Sequence, residues 1–378
     1  HDIEPQRHPG AGLGVGPGAG RGVPASAAEP PVRVLPPTSD RPLVYPAEYL
    51  SPIYTVAKLY RSMMGPQSMQ TIRVVPGERP ELIWVTGYSA EMVKADGTSP
   101  QSQEFMCHSN LDINMPQHLK IFGLERISPN RVFTLSQGQQ RIRFPEGFGM
   151  PIVSLEAFRL TTQVLNLNQT GQSFDVRHKV SIEYVRDAEL KAPLKPLFQL
   201  SANSMVLVEG KDGYFGLPEA DPNVHGTGCL VGTSASDSGG LYRDDYGRRF
   251  TAHWQVKPGR EVNNTNVTRF MSVPFDTTVH YIAVHLHPFA ESLELRDLTA
   301  GKTVYHSKVR PSEGRIGLDH VDYYASAAGF PIYKSHEYEL VSVYDNTTAE
   351  QQDSMAVMYL YALDKDYKGS PIGTAASR

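Results

Sequence analysis

The sequence predicts an all-β protein, two β-sandwiches behind an extended tail, and three observations predict it. Short runs rich in β-branched and aromatic residues recur along the chain, among them "FRLTTQVLNLN" (158–168), "VRHKVSIEYV" (176–185), "HYIAVHLH" (280–287) and "MAVMYLYAL" (355–363). Gly, Pro, Asn and Asp separate them, and amphipathic helical periodicity is almost missing. At 378 residues the chain has room for two such sandwiches.

Residues 1–44 differ from everything that follows. The stretch "GAGLGVGPGAGRGVPASAAEPPVRVLPP" (10–37) is Gly, Pro and Ala with few large apolar side chains. Such a segment buries too little surface to offset its ordering entropy, and it reads as an extended tail that gains order across a protein partner. Residues 45–195 read as the first sandwich. Within it, "AEYLSPIYTVAKLYRSMM" (47–64) is the single stretch with helical character. The charged, proline-bearing "RDAELKAPLKPLFQL" (186–200) marks the junction. Residues 196–368 read as the second sandwich and 369–378 as a short C-terminal tail. No internal repeat is evident.

The bulk properties exclude several functions. Net charge is -4 with acidic and basic residues interspersed, so no basic stripe offers a surface to nucleic acid. No run of 18 apolar residues exists, so the sequence predicts no transmembrane segment. A chain that opens on His1 reads as a processed product, exported to the periplasm or the extracellular space. Its two cysteines, Cys107 and Cys229, are expected to form one disulfide in that setting, with Cys107 as a thiolate metal ligand the rival reading. No Ser-His-Asp arrangement, phosphate-cradling glycine loop or Cys-x-x-Cys is present.

The chemistry concentrates in "VHYIAVHLHPF" (279–289), where three of the 13 histidines fall within eight residues. Side chains alternate across a strand, so Ile282, Val284 and Leu286 share a core face with His280. His285 and His287 stand together on the other face. That spacing suits two nitrogens on one metal ion, and it equally suits two solvated histidines on an edge strand. Farther on, "DSMAVMYLY" places Met355, Val357, Tyr359 and Tyr361 on one face of a late strand, where a methionine is ordinarily core filler.

In order, a Pro-Gly turn ("VKPGREV"), the His-x-His strand and "YDNT…DSMAVMYLY" resemble the catalytic core of the copper type II, ascorbate-dependent monooxygenases. That family includes peptidylglycine α-hydroxylating monooxygenase and dopamine β-monooxygenase. The likeness extends over about 105–365, weakly in the first half through "PEGFGMPIVSLEAFRLTTQVLNLNQTG". It implies two jelly-roll-like sandwiches with a copper on each and a solvent-filled cleft between them. It also implies one copper held by His285, His287 and Met355, with Asp353 in the family's "D-x-M" segment. Two imidazoles and a thioether form a soft set that suits Cu(I) and leaves a fourth position open.

The family's other copper needs three histidines in the first domain. The matching "EFMCHSNLDINMPQH" keeps His108 but has Cys107 or Ser109 where the second belongs. The third falls near Leu165 or Asn166, neither a histidine. His108 is therefore the remnant of a lost site, with His118, His225 and His253 unassigned. The expectation is an exported copper-binding protein with one copper per chain. If it is an enzyme, it is a mononuclear monooxygenase or oxidase. The competing expectation is a non-catalytic accessory subunit of a larger periplasmic or membrane-associated assembly, of electron-transfer or photosynthetic type, pinned by residues 1–44.

Overall fold

A computed structural model describes residues 41–208, 241–244 and 246–373. Strands account for 55% and helices for 6%, so the protein is an all-β sandwich. The tail expectation falls almost wholly on residues outside this description. The first strand, Tyr45–Leu50, begins where the composition turns globular.

The helical expectation for 47–64 is corrected. Tyr45–Leu50 and Tyr54–Val56 are strands, both paired to Phe174–Arg186. Tyr45, Ala47 and Tyr49 alternate with exposed positions, the period of a half-buried strand. Pro52 lacks an N–H and holds Ser51 extended, which interrupts any helix at that point.

A ten-stranded sheet dominates the molecule. Its order is Tyr45–Leu50, Phe174–Arg186, Leu82–Lys94, Phe148–Val153, Lys195–Asn203, Ala356–Leu363, Thr277–Leu286 and Tyr324–Ile332, with Tyr54–Val56 and Arg141–Arg143 attached beside this path. A short parallel contact of Lys195 and Pro196 with Phe148 and Gly149 carries the sheet from the first half of the chain into the second. A four-stranded sheet (Gln67–Ile72, Phe158–Val164, Met106–Ile113, Arg131–Leu135) belongs to the first half. A five-stranded sheet built from Gly259–Asn266 to Tyr338–Asn346 belongs to the second. The described residues from Pro42 onward form one compact unit.

Two large cores lie on either side of the Thr277–Leu286 and Ala356–Leu363 pair. Ile282, Val284 and Leu286, with Ala356, Met358 and Leu360, enter the second core. Tyr281 and Ala283, with Val357, Tyr359 and Tyr361, enter the first, beside Phe133 and Phe144. The histidine strand is thus covered on both faces, and it is flanked by Ala356–Leu363 and Tyr324–Ile332. A solvated edge strand is excluded. Hydrogen bonds tie the halves across this seam. Tyr361 Oη donates to Val132 O at 2.7 Å, and Val284 N donates to Gln139 Oε1 at 3.0 Å.

His280 sits at a register break between Val279 and Tyr281. Its ring stacks on Phe148 at 4.2 Å, and Nδ1 donates to Ser326 O at 3.0 Å. The partner strand passes close here because Gly329, at φ +67°, has no Cβ to strike Val279 O. His280 is therefore a structural residue of the bulge.

In the first core, fully buried His178 accepts from Ser109 Oγ at 2.7 Å and donates Nε2–H to Gln163 O at 3.1 Å. Burial lowers its pKa to about 4. The fold therefore holds the neutral ring, whereas the unfolded chain takes up a proton near pH 6.5. This contribution is complete above pH 6.5 and is lost as pH falls towards 4, amounting to about 3 kcal/mol. Urea unfolding of the wild type and His178→Gln at pH 7 and pH 4 measures it. The variant is expected to lose less stability between the two, and an unchanged pH slope would contradict the assignment.

Candidate metal centre

The side-by-side placement read from sequence is present. His285 and His287 are 4% and 3% exposed, and their ring centres lie 5.3 Å apart at 85°. Each ring is fixed through Nδ1. That of His285 bonds Ser136 Oγ at 2.9 Å, and that of His287 donates to Asp353 O at 3.2 Å. The carbonyl acceptor fixes the proton of His287 on Nδ1 and leaves its Nε2 lone pair, and the Ser136 hydroxyl can accept from His285 in the same tautomer. Neither Nε2 has a hydrogen-bond partner among the described residues. The Ser136 bond links the pair to the first half of the chain and holds the His285 ring in orientation, as hydrogen bonds to metal-ligating histidines commonly do.

Both rings stay neutral, the form that binds metals. Burial, then the neighbouring His287, push His285 well below its ordinary value. Burial, then His253, lower His287 to about 3.

Met355 lies at the break between Gln352–Ser354 and Ala356–Leu363, half-buried against the first core. The last ladder pair of the histidine strand is Leu286 with Ala356, so His287 and Met355 are the next positions across from each other. Tyr344 locks this corner. Its hydroxyl donates to Met355 O at 2.5 Å and accepts from His287 N at 3.1 Å. Asp353 of the "D-x-M" segment bonds Gln255, and its carbonyl orients His287. A small surface cleft, lined in part by Arg61, Pro288, Phe289 and Asp353, opens beside this corner.

His253 carried no sequence signal. Its ring centre is 6.3 Å from that of His287, and both its nitrogens are buried without a hydrogen-bond partner. What brings it here is the pairing of Trp254–Val256 with Gln352–Ser354. That long-range pairing has no pattern of its own in the sequence.

His108 is 5% exposed, and its Nε2–H donates to Gln163 Oε1 at 3.0 Å. Gln163 is oriented by its own bond to Gly65 O at 2.9 Å. Nδ1 of His108 is buried without a partner. The other first-domain positions are occupied by non-ligating groups. Leu165 is buried, Asn166 bonds the Lys58 and Gln169 carbonyls, and Ser109 bonds His178.

The expected bridge from Cys107 to Cys229 involves a residue outside the described ones. Cys107 is buried, its sulfur within hydrogen-bond reach of Ser62 and Met63 and bridged to no cysteine among the described residues. Burial pushes its pKa up to about 12, so the thiol without a metal is protonated. Cys229 and His225 lie outside the described residues. His118 pairs with Glu156 at 2.8 Å, away from the centre.

Among the described residues, no group of three or more His, Cys, Asp and Glu side chains stands arranged to hold a metal. The His285, His287 and Met355 set rests instead on two imidazoles and a thioether, and its free Nε2 atoms suit a soft metal ion. No helix among the described residues is long and apolar enough to cross a membrane. Compared with known proteins, the sequence matches no protein-family model and no curated protein.

Proposed function

We propose that this protein binds one copper ion per chain through His285, His287 and Met355, as its resemblance to the copper type II monooxygenases implies. The observation that carries the reading is the pair of buried, neutral imidazoles. Each is anchored through Nδ1 and leaves Nε2 free beside Met355. A neutral imidazole whose Nδ1 is committed offers its Nε2 lone pair to a metal ion.

One observation favours a non-catalytic role over coupled hydroxylation. The first-domain positions offer a single imidazole, His108, already committed to Gln163. A second copper to store and relay electrons has no ligand set there. The protein then serves as an accessory subunit of a larger assembly, with residues 1–44 as the segment that docks on a protein partner.

The thioether supplies the test. Met355→Ala is expected to weaken Cu(I) by about tenfold or more while changing Cu(II) less, because the soft ligand prefers the reduced ion. Competition titrations against chelators for each oxidation state read both affinities. Equal changes, or none, would remove Met355 from the ligand set.

A further inference from the structure

We infer that the buried turn Ser136–Gln139, from the first half of the chain, is a positioning element for the histidine strand of the second. This rests on the copper reading above and goes beyond it: the two halves build the centre together, and an ion bound there tightens their docking.

The first support is a gap in the sheet. Ala356–Leu363 follows the histidine strand as far as Leu286, but Tyr324–Ile332 pairs with it only from Thr277 to Ile282. Beyond Ile282 the segment leading to His285 and His287 has one strand partner instead of two. The turn supplies hydrogen-bonding groups at that place. Gln139 Oε1 accepts from Val284 N at 3.0 Å, and Gln139 Nε2 donates to Tyr281 Oη at 3.2 Å. A buried backbone N–H left unpaired is costly, so the Gln139 amide does for Val284 what a strand partner does elsewhere. Ser136 acts on the next residue, its hydroxyl bonding Nδ1 of His285 at 2.9 Å. One turn thus holds the main chain at Val284 and the ring of its neighbour.

The second support is how the turn itself is held. Ser136, Gln137 and Gln139 are buried, and two backbone bonds of 3.3 Å between Ser136 and Gln139 close the turn. Gly138 O accepts from Val321 N at 3.0 Å, and Gln137 Oε1 accepts from Leu318 N at 3.0 Å, both donors in the second half. Gln137 Nε2 donates to Glu104 O at 2.8 Å, back in the first half. Gly138 has φ +84°, and a Cβ there would lie 2.7 Å from Val321 Cγ2, so only glycine lets the turn come this close. Connecting segments ordinarily run over the surface, because buried backbone needs partners. This one finds its partners on the strand of the metal ligands and on the strand beside Val321.

The consequence is coupling. The turn fixes the ligands only while the halves are docked, so docking favours the ion. By linkage, the ion favours docking to the same extent.

The test is the Cu(I) affinity of the full chain, by competition with a chelator, for the wild type, Ser136→Ala, Gln139→Ala, Phe133→Ala and His287→Ala. Ser136→Ala is expected to weaken Cu(I) by about tenfold to a hundredfold, the span for losing a hydrogen bond behind a ligating imidazole. Gln139→Ala removes no ligand, and it is expected to weaken Cu(I) by about fivefold or more, the usual size of coupling between sites. Phe133→Ala loosens the core beside Tyr88 and Tyr361 and should leave the affinity near that of the wild type. Should a turn variant not fold, amide exchange in the wild type decides. Cu(I) loading is expected to slow exchange at Val284 N and Val321 N, whose acceptors lie on the turn. Three results, each with copper still lost in His287→Ala, would overturn this inference and leave the copper reading intact. They are wild-type affinity in both turn variants, a loss in Phe133→Ala as large as theirs, or exchange at both amides unchanged by copper. No copper in the wild type, or copper undiminished in His287→Ala, would overturn both.

Discussion

His287→Ala is expected to take bound copper from about one ion per chain to none, because it removes a ligand from a set with few others. The ring is 3% exposed, so the change also opens space beside Met355. A loss of binding must therefore be separated from a loss of fold. Far-ultraviolet circular dichroism should remain that of a β-protein, since the backbone N–H of His287 keeps its bond to Tyr344 and Leu286 keeps its ladder pairing. Copper retained in His287→Ala would mean that the ion, if bound, sits elsewhere.

Phe133→Ala is expected to cost about 3–5 kcal/mol, the usual toll for truncating a buried aromatic side chain. Phe133 is fully buried, stacked with Tyr88 at 5.1 Å and with Tyr361 at 5.7 Å, and tilted against Phe144 at 5.9 Å. Tyr88 and Phe144 come from the first half of the chain, and Tyr361 from its last strand. The residue therefore joins the halves through one core, and its loss should lower a single unfolding transition. Denaturant unfolding followed by tyrosine fluorescence and by circular dichroism measures this. Two separated transitions, only one of them shifted, would show that the halves unfold independently.

Much of the fold was legible because strand burial follows the period of two that the sequence displays. Ile282, Val284 and Leu286 alternate with Tyr281 and Ala283, and the two sets enter different cores. The stretch 47–64 misled because its apolar residues also fit a helical spacing. Pro52 and the pairing of Tyr45–Leu50 with Phe174–Arg186 decide for strands. Tertiary pairing outweighs local propensity there.

The candidate site was legible in the same way, and only in part. His285 and His287 are two residues apart on one strand, so local geometry alone puts them together. Met355 lies far away in sequence, and only the family resemblance singled it out. His253 had neither kind of signal. Its place depends on the short pairing of Trp254–Val256 with Gln352–Ser354, which no local pattern announces. The cysteine expectation rests on Cys229, which lies outside the described residues. Counting two cysteines says nothing of where each side chain points, and Cys107 points into a packed interior beside Ser62.

Copper content after loading is the most direct measurement of the central claim. The purified chain, given excess Cu(I) under reducing conditions and freed of loosely held metal by gel filtration, should retain about one copper per chain by elemental analysis. Retention near zero would contradict a copper centre at His285, His287 and Met355, and retention near two would contradict the loss of the first-domain site.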